Sequence, residues 1–339
     1  MKRLNLCMAL LCLLLTPAAF ANVFRVNNTL GTDVSQKLFN SIKEAHDAAI
    51  VAAGDTLLVE GTNIVHPNIT LSKRLVLIGT GYLLTANPQT QYNTVQSVVS
   101  QITIKPEAAG SILVGLTFSN SYTNNAPYIE ASNVIVMRCF IPNYLRITDG
   151  ANNVQIIQNF MQDGGLSNPY TSDKFTNIVL KNNVIGGSLS ISSNTTYQRQ
   201  FAAVENNIFL SHVTLTANSF RNNIIVYNSA TINISSTLVQ NNLVSNGQLP
   251  AANGNQTYNT AQLFMGATGN SQDGQYKLKD DSPYLTAGYN NAQPGIFGGT
   301  MPYVLSGMPA IPSIYELSAD GFGSKETGLK VTIKAKTNQ

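Results

Sequence analysis

Residues 178–184 read IVLKNNV, 203–208 AVENNI, 220–224 FRNNI and 238–243 LVQNNL. In each, apolar or β-branched residues run into an Asn pair, and an apolar residue follows. Upstream, 154–160 (VQIIQNF) and 134–140 (VIVMRCF) repeat the phrase with a single Asn, or Cys139, in the second place. Marking that place as Cys139, Asn159, Asn183, Asn207, Asn223 and Asn242 gives steps of 20, 24, 24, 16 and 19 residues. Such a period marks a repeat architecture. One coil of that size buries no apolar face alone, but coils stacked about 4.8 Å apart and hydrogen-bonded in parallel do. Uneven steps then mean loops of uneven length on a constant frame. In register, the marked Asn donates to one coil and accepts from the next, as in the Asn ladders of stacked strands.

Between the marks lies a second strand set: 144–148 (YLRIT), 188–192 (SLSIS), 213–216 (VTLT) and 231–235 (TINIS). Each alternates apolar with polar, as a strand with one buried face must. The Leu spacing and intervening helices of a leucine-rich repeat are missing. Upstream, Ser41 and Glu44 form a capping-box pattern and Gly54 a stop, predicting a helix over 41–53. Its apolar face is Ile42, Ala45, Ala49, Ile50 and Ala53, suited to closing the open end of the first coil. His46 and Asp47 read as its solvated face. The expected fold is all-β: a parallel β-helix over 22–300 with this capping helix. A Pro-containing connector and two strands (314–317 and 329–335) over 301–339 would cover the far end or pair as a hairpin.

Lys2 and Arg3, the apolar run 4–15 and Ala19-Phe20-Ala21 form an export-signal pattern over 1–21, with Asn22 as the mature first residue. The run is too short to span a bilayer, so the expected location is secreted or cell-surface. Cys7 and Cys12 leave with the signal, so Cys139 is left without a disulfide partner. It reads as a buried inert thiol. Without Lys2 and Arg3, 18 basic residues face 17 acidic ones, which gives no electrostatic case for nucleic acid or an anionic membrane. Charged residues are only 11% of the chain while Asn occupies 39 positions, a composition of stacked strands and turns.

Residues 38–81, LFNSIKEAHDAAIVAAGDTLLVEGTNIVHPNITLSKRLVLIGTG, resemble the opening segment of pectate-lyase-like right-handed β-helix proteins. Residues 276–299, YKLKDDSPYLTAGYNNAQPGIFGG, are similar to the element that often closes such helices in secreted bacterial members. The resemblance implies a right-handed winding over roughly 36–300 and leaves activity open, since one fold hosts many functions. Lyases of this kind hold calcium with clustered aspartates beside an Arg or Lys base, because the enolate formed next to a uronate needs a cation. The matching candidates are Asp149, Asp163, Asp173 and Arg199, with Arg146 and Lys174 nearby; no two of the aspartates are adjacent or in a D-x-D pattern. Asp280 and Asp281 read as a turn before Ser-Pro. His66 and His212 show no metal-ligand spacing and read as turn or core-edge residues.

Tyr122, Tyr128, Tyr170 and Tyr197, with Tyr92, fall in irregular stretches rich in Asn, Thr and Ser. Insertions leaving one corner of the stack would line a groove in which tyrosine rings stack on sugar. Two readings follow: a non-catalytic β-helix that binds extracellular polysaccharide or serves as a structural rod, and a polysaccharide lyase or hydrolase with a divergent site. The missing acidic cluster favours the first. No cofactor or metal is expected except calcium under the second.

Overall fold

The computed structural model describes residues 21–120, 127–167, 174–194, 196–325 and 328–338. The expected export segment lies outside them up to residue 20, as do Tyr122, Tyr170 and Asp173. Among the described residues the chain winds as a right-handed parallel β-helix with three sheets. The first sheet climbs from Val23–Val26 through Thr56–Val59, Val76–Ile78, Ile112–Val114, Ile135–Met137, Gln155–Ile157, Phe175–Lys181 and Arg199–Glu205 to Phe220–Arg221. The second runs from Ile69–Leu71 through Ile102–Ile104, Tyr128–Ile129 and Leu145–Ile147 to Leu166–Ser167. The third extends from Val98–Val99 to Gln256–Thr257. In the last coils the longer strands Val213–Ala217 and Arg199–Glu205 meet at Ala217 and Phe201, joining the second wall to the first.

Two-residue alternation decides what fills the interior. Leu57, Leu77, Leu113, Val136, Ile156, Leu180 and Val204 stack inward in successive coils of the first sheet, all fully buried. Each such side chain contributes roughly 1.5–3 kcal/mol through burial. The marked positions form one interior column. Asn159 Oδ1 accepts from the Cys139 N–H at 2.9 Å, and Asn183 Oδ1 does the same for Asn159. The pattern continues through Asn207, Asn223 and Asn242 to Asn255, a rung with no Asn pair to announce it.

The residue before each rung has left-handed backbone: Arg138, Gln158, Asn182, Asn206, Asn222 and Asn241, with φ between 51° and 57°. Asn tolerates that conformation because its short polar side chain bonds locally. The two Asn of a pair thus do different work, the first turning the corner and the second filling the rung. A second, exposed ladder stands at the corner before the first sheet, where Asn153 Nδ2 donates to Asn133 Oδ1 (2.7 Å) and Asn177 Nδ2 to Asn153 Oδ1 (3.1 Å).

The capping helix is shorter than expected, Ile42–Asp47. Ser41 caps it by accepting from the Glu44 N–H at 3.1 Å, but Ala48 turns to extended backbone, and Val51 rather than Ile50 enters the core. His46 is buried, correcting its assignment to the solvated face. Its position, four residues after Ile42, puts it on the apolar side, where Nε2 accepts from the Ser72 N–H at 3.1 Å.

The coils end at Thr257, short of the expected residue 300. Residues 258–311 instead lie along the outside of the third sheet. Phe140, Phe160, Val184, Ile208, Ile224 and Leu243 point outward from that sheet and pack with Tyr258, Leu263, Leu278, Tyr284, Ile296 and Tyr303 as a second core. The left-handed corner residues hold the returning strap: Asn206 Nδ2 donates to Gln293 O and Gly295 O, Asn182 Nδ2 to Ile296 O and Gly298 O, and Gln158 Nε2 to Pro302 O. Arg138 Nη1 ends the series on Met308 O at 2.7 Å. At the first coils the strap is pinned by a buried polar knot. Asp273 accepts from Asn87 Nδ2 (3.0 Å), Ser271 Oγ (2.7 Å) and the Ser306 N–H (2.7 Å), and Tyr82 bonds Tyr303 through their hydroxyls. The last strands, Pro312–Ala319 and Val331–Thr337, pair as an antiparallel hairpin. It does not cover the far end: the strap carries it back to the early coils, where the Tyr92 N–H donates to Ile314 O at 2.7 Å.

Candidate functional site

Because inward positions are spent on stacking, functional chemistry falls to the outward columns, and the three sheets differ there. The third is covered by its own chain. On the second, Thr70, Thr103, Tyr128, Arg146 and Ser167 stand in register on the side facing away from the core, the flanking Ile69, Ile102, Ile129, Leu145 and Leu166 being buried. The Arg146 guanidinium lies over the Tyr128 ring, 4.8 Å from its centroid, a cation–π stack that restrains both side chains. Lys105 and Glu130 bridge adjacent coils alongside at 2.7 Å, and Tyr144, 41% exposed, directly precedes the Arg146 strand. Further along, Ser190, Thr214 and Asn233 continue a polar outward row.

This arrangement corrects the single-groove expectation. Tyr128 lies in a strand, not an insertion. Tyr122 and Tyr170 lie outside the described residues, and their described flanks differ: Thr117–Phe118 and Tyr128–Ile129 belong to the third and second sheets, Leu166–Ser167 and Phe175–Lys181 to the second and first. Tyr197 sits in the connection 192–198 with its ring 5.5 Å from the buried Arg199 guanidinium. Two Tyr–Arg stacks therefore border the second sheet. Arg146 was expected only as a possible base, and Tyr144 was passed over as an ordinary strand residue.

The acidic candidates are not brought together. Asp149 is exposed at the corner after the second sheet, where Oδ1 accepts from the Lys174 N–H at 3.0 Å, while Asp163 is exposed at the corner after the third sheet. Arg199 opens the first-sheet strand two coils beyond Asp149. Among the described residues no three His, Cys, Asp or Glu side chains are grouped to hold a metal. Cys139 is fully buried, and burial pushes its thiol up to about 12. His212 Nδ1 accepts from the Thr231 N–H at 2.9 Å. His66 is fully buried with neither ring nitrogen hydrogen-bonded, and burial lowers its pKa.

Sequence reading missed one charged cluster. Two residues before successive rungs stand Lys181, Glu205 and Arg221, on the outer face of the first sheet. Glu205 accepts from Lys181 Nζ (2.9 Å), Arg221 Nε (2.8 Å) and Ser219 Oγ (2.8 Å). Burial pushes its carboxyl upward, but these partners outweigh burial and hold it below the ordinary range. Arg221 in turn stacks on Tyr289 of the strap at 4.9 Å. The signal was present in the spacing, since K-N-N, E-N-N and R-N-N put the three charges in one column.

No helix among the described residues is long and apolar enough to cross a membrane. No protein-family model and no curated protein matches the chain. Among solved structures, the crystal structure of pectate lyase Pel9A is similar, with a TM-score of 0.33 and 11% identity over 80% of this chain and 93% of that one. A likeness of that size bears on neither chemistry nor substrate.

Proposed function

We propose that the chain is an exported, non-catalytic β-helix that binds polysaccharide along the outer face of its second sheet. The observation that carries this reading is the half-buried Tyr128 ring held by Arg146 on an outward face whose other aligned residues, Thr70, Thr103 and Ser167, carry hydroxyls. Sugar rings have an apolar face that stacks on an aromatic ring and a hydroxyl rim that bonds short polar side chains. A flat wall repeating every 4.8 Å or so offers such contacts over several residues of an extended glycan. Tyr144 and the Lys105–Glu130 pair border the stack. Preorganisation by Arg146 limits the ordering cost on binding, yet open stacking competes with water, so each contact is weak and affinity grows with glycan length.

The test is calorimetric titration with neutral and weakly acidic polysaccharides of graded length. Tyr128→Ala is expected to weaken binding at least tenfold while thermal unfolding stays unchanged. Binding that survives this substitution refutes the assignment of the face. Release of unsaturated oligosaccharides from pectin or alginate with calcium present establishes the lyase alternative instead.

A further inference from the structure

The outer face of the first sheet is apolar and is not packed by the strap's second core. Leu58, Ile78, Val114, Met137 and Ile157 form one outward column, and Val76, Ile112 and Ile135 stand beside it in register. All but Ile157 are only half-buried, and none belongs to either apolar core. Parallel sheets are normally covered on both faces. The third sheet obeys that rule with residues 258–311, and the second presents hydroxyls. The first leaves its Val, Ile, Leu and Met half-buried and, among the described residues, outside both apolar cores. The column ends in ions at both extremes: Arg25 with Glu60 before Leu58, and Lys181 with Glu205 and Arg221 after Ile157. An apolar centre with a polar rim is the anatomy of a protein interface.

We propose that this face packs against the same face of a second copy of the chain, forming a twofold-symmetric dimer. From Arg25 to Glu205 the column crosses eight strands, about 34 Å at about 4.8 Å per strand, and two columns with their side chains are about 15 Å wide. Each copy therefore buries about 500 Å², and the pair about 1,000 Å², the threshold that a biological interface reaches. A twofold axis through the face reverses one copy on the other. With Val114 of one chain over Met137 of its partner, Ile78 lies over the already buried Ile157, Leu58 over the stem of Lys181, and Arg25 over the buried Glu205 with its Lys181 and Arg221 partners, so ionic groups close both ends of the apolar centre. The two sheets then pack about 10 Å apart, as in a sandwich.

Sedimentation equilibrium of the chain from Asn22 onward, over about 1 to 200 μM, tests this, since interfaces of this size fall in or below that affinity range. The expected result is a concentration-dependent dimer that Met137→Glu weakens at least tenfold while the melting temperature at concentrations where both proteins are monomeric stays unchanged. Should that variant not fold, Ile135→Thr keeps a β-branched strand residue and is expected to weaken the dimer severalfold. Tyr128→Ala, on the other sheet, leaves association unchanged. A monomer at the highest concentration, or a dimer untouched by Met137→Glu and Ile135→Thr, overturns the proposal.

Discussion

Asn207 sits in the middle of the interior ladder, and its replacement by Leu isolates what a rung contributes. Its Oδ1 accepts from the Asn183 N–H and from Asn183 Nδ2, both at 3.0 Å. Its Nδ2 donates to Leu180 O (2.8 Å), Glu205 O (3.1 Å) and Asn223 Oδ1 (3.0 Å). In Asn207→Leu the damage is uneven. Glu205 O still accepts from the Asn182 N–H at 3.2 Å, and Asn223 Oδ1 from the Asn207 N–H at 3.0 Å. The Asn183 N–H, however, is left buried without its acceptor, costing about 1–3 kcal/mol. The added methyls crowd the rungs on either side, for about 1–3 kcal/mol more. The expected loss is therefore about 2–5 kcal/mol. Ladder polarity supplies a control. Every Oδ1 serves the N–H of the preceding coil, whereas Cys139 at the near end offers the Leu116 and Gly115 amides only a sulfur, a weak acceptor, so Cys139→Val should cost less, under about 1.5 kcal/mol. Urea unfolding followed by circular dichroism measures both. An Asn207→Leu midpoint equal to the parent's, at equal slope, refutes the ladder reasoning.

Asn206→Ala removes two bonds to the strap, at 3.1 and 3.2 Å, and puts Ala at φ 57°, so a loss of about 1–2 kcal/mol is expected; unchanged melting would show that the strap is held by apolar packing alone. His66 has its pKa lowered by burial, so the unfolded chain binds the extra proton first. Stability should then fall as pH drops below about 6.5, until the lowered folded value is reached, and His66→Leu should remove that part of the slope; parallel pH curves for the two proteins would contradict it. Processing after Ala21 would turn the Asn22 N–H, 2.7 Å from Oδ1 of the buried Asp55, into an ammonium group. A chain starting at Asn22 should outlast one with two extra residues by about 1 kcal/mol, and by nothing in Asp55→Asn; equal melting temperatures for the two starts in the Asp55 parent would dismiss the idea.

The winding was legible because stacking imposes one requirement on every coil. A position that must be apolar, or must be Asn, in one coil must be so in the next, and the pattern survives loops of any length. Within the Asn pairs only half of the meaning was readable. The second Asn answers to its neighbours one coil away, 16 to 24 residues distant in the rungs from Asn159 to Asn242. The first answers to a strap up to 116 residues away at Asn182, and Arg138 to one 170 away, with no period to reveal it. His46 was misread on polarity although helical spacing already put it beside Ile42. Tyr128 reads as a loop residue in the sequence because its strand is two residues long and shows no alternation.

The outward columns explain why the same repetition that reveals the fold conceals its use. Inward positions are coupled from coil to coil, so their residue types repeat and announce themselves. Outward positions feel only what lies outside, and here three sheets face three different surroundings. Apolar residues outside the third sheet meet the chain's own strap, hydroxyls and Tyr–Arg stacks stand on the second, and Val, Ile and Met stand on the first between ionic ends. Since stacking does not require those choices, each answers to solvent or to a contact outside the coil that carries it. For the third sheet that contact is visible in the structure; for the other two it is what the glycan titration and the sedimentation experiment measure.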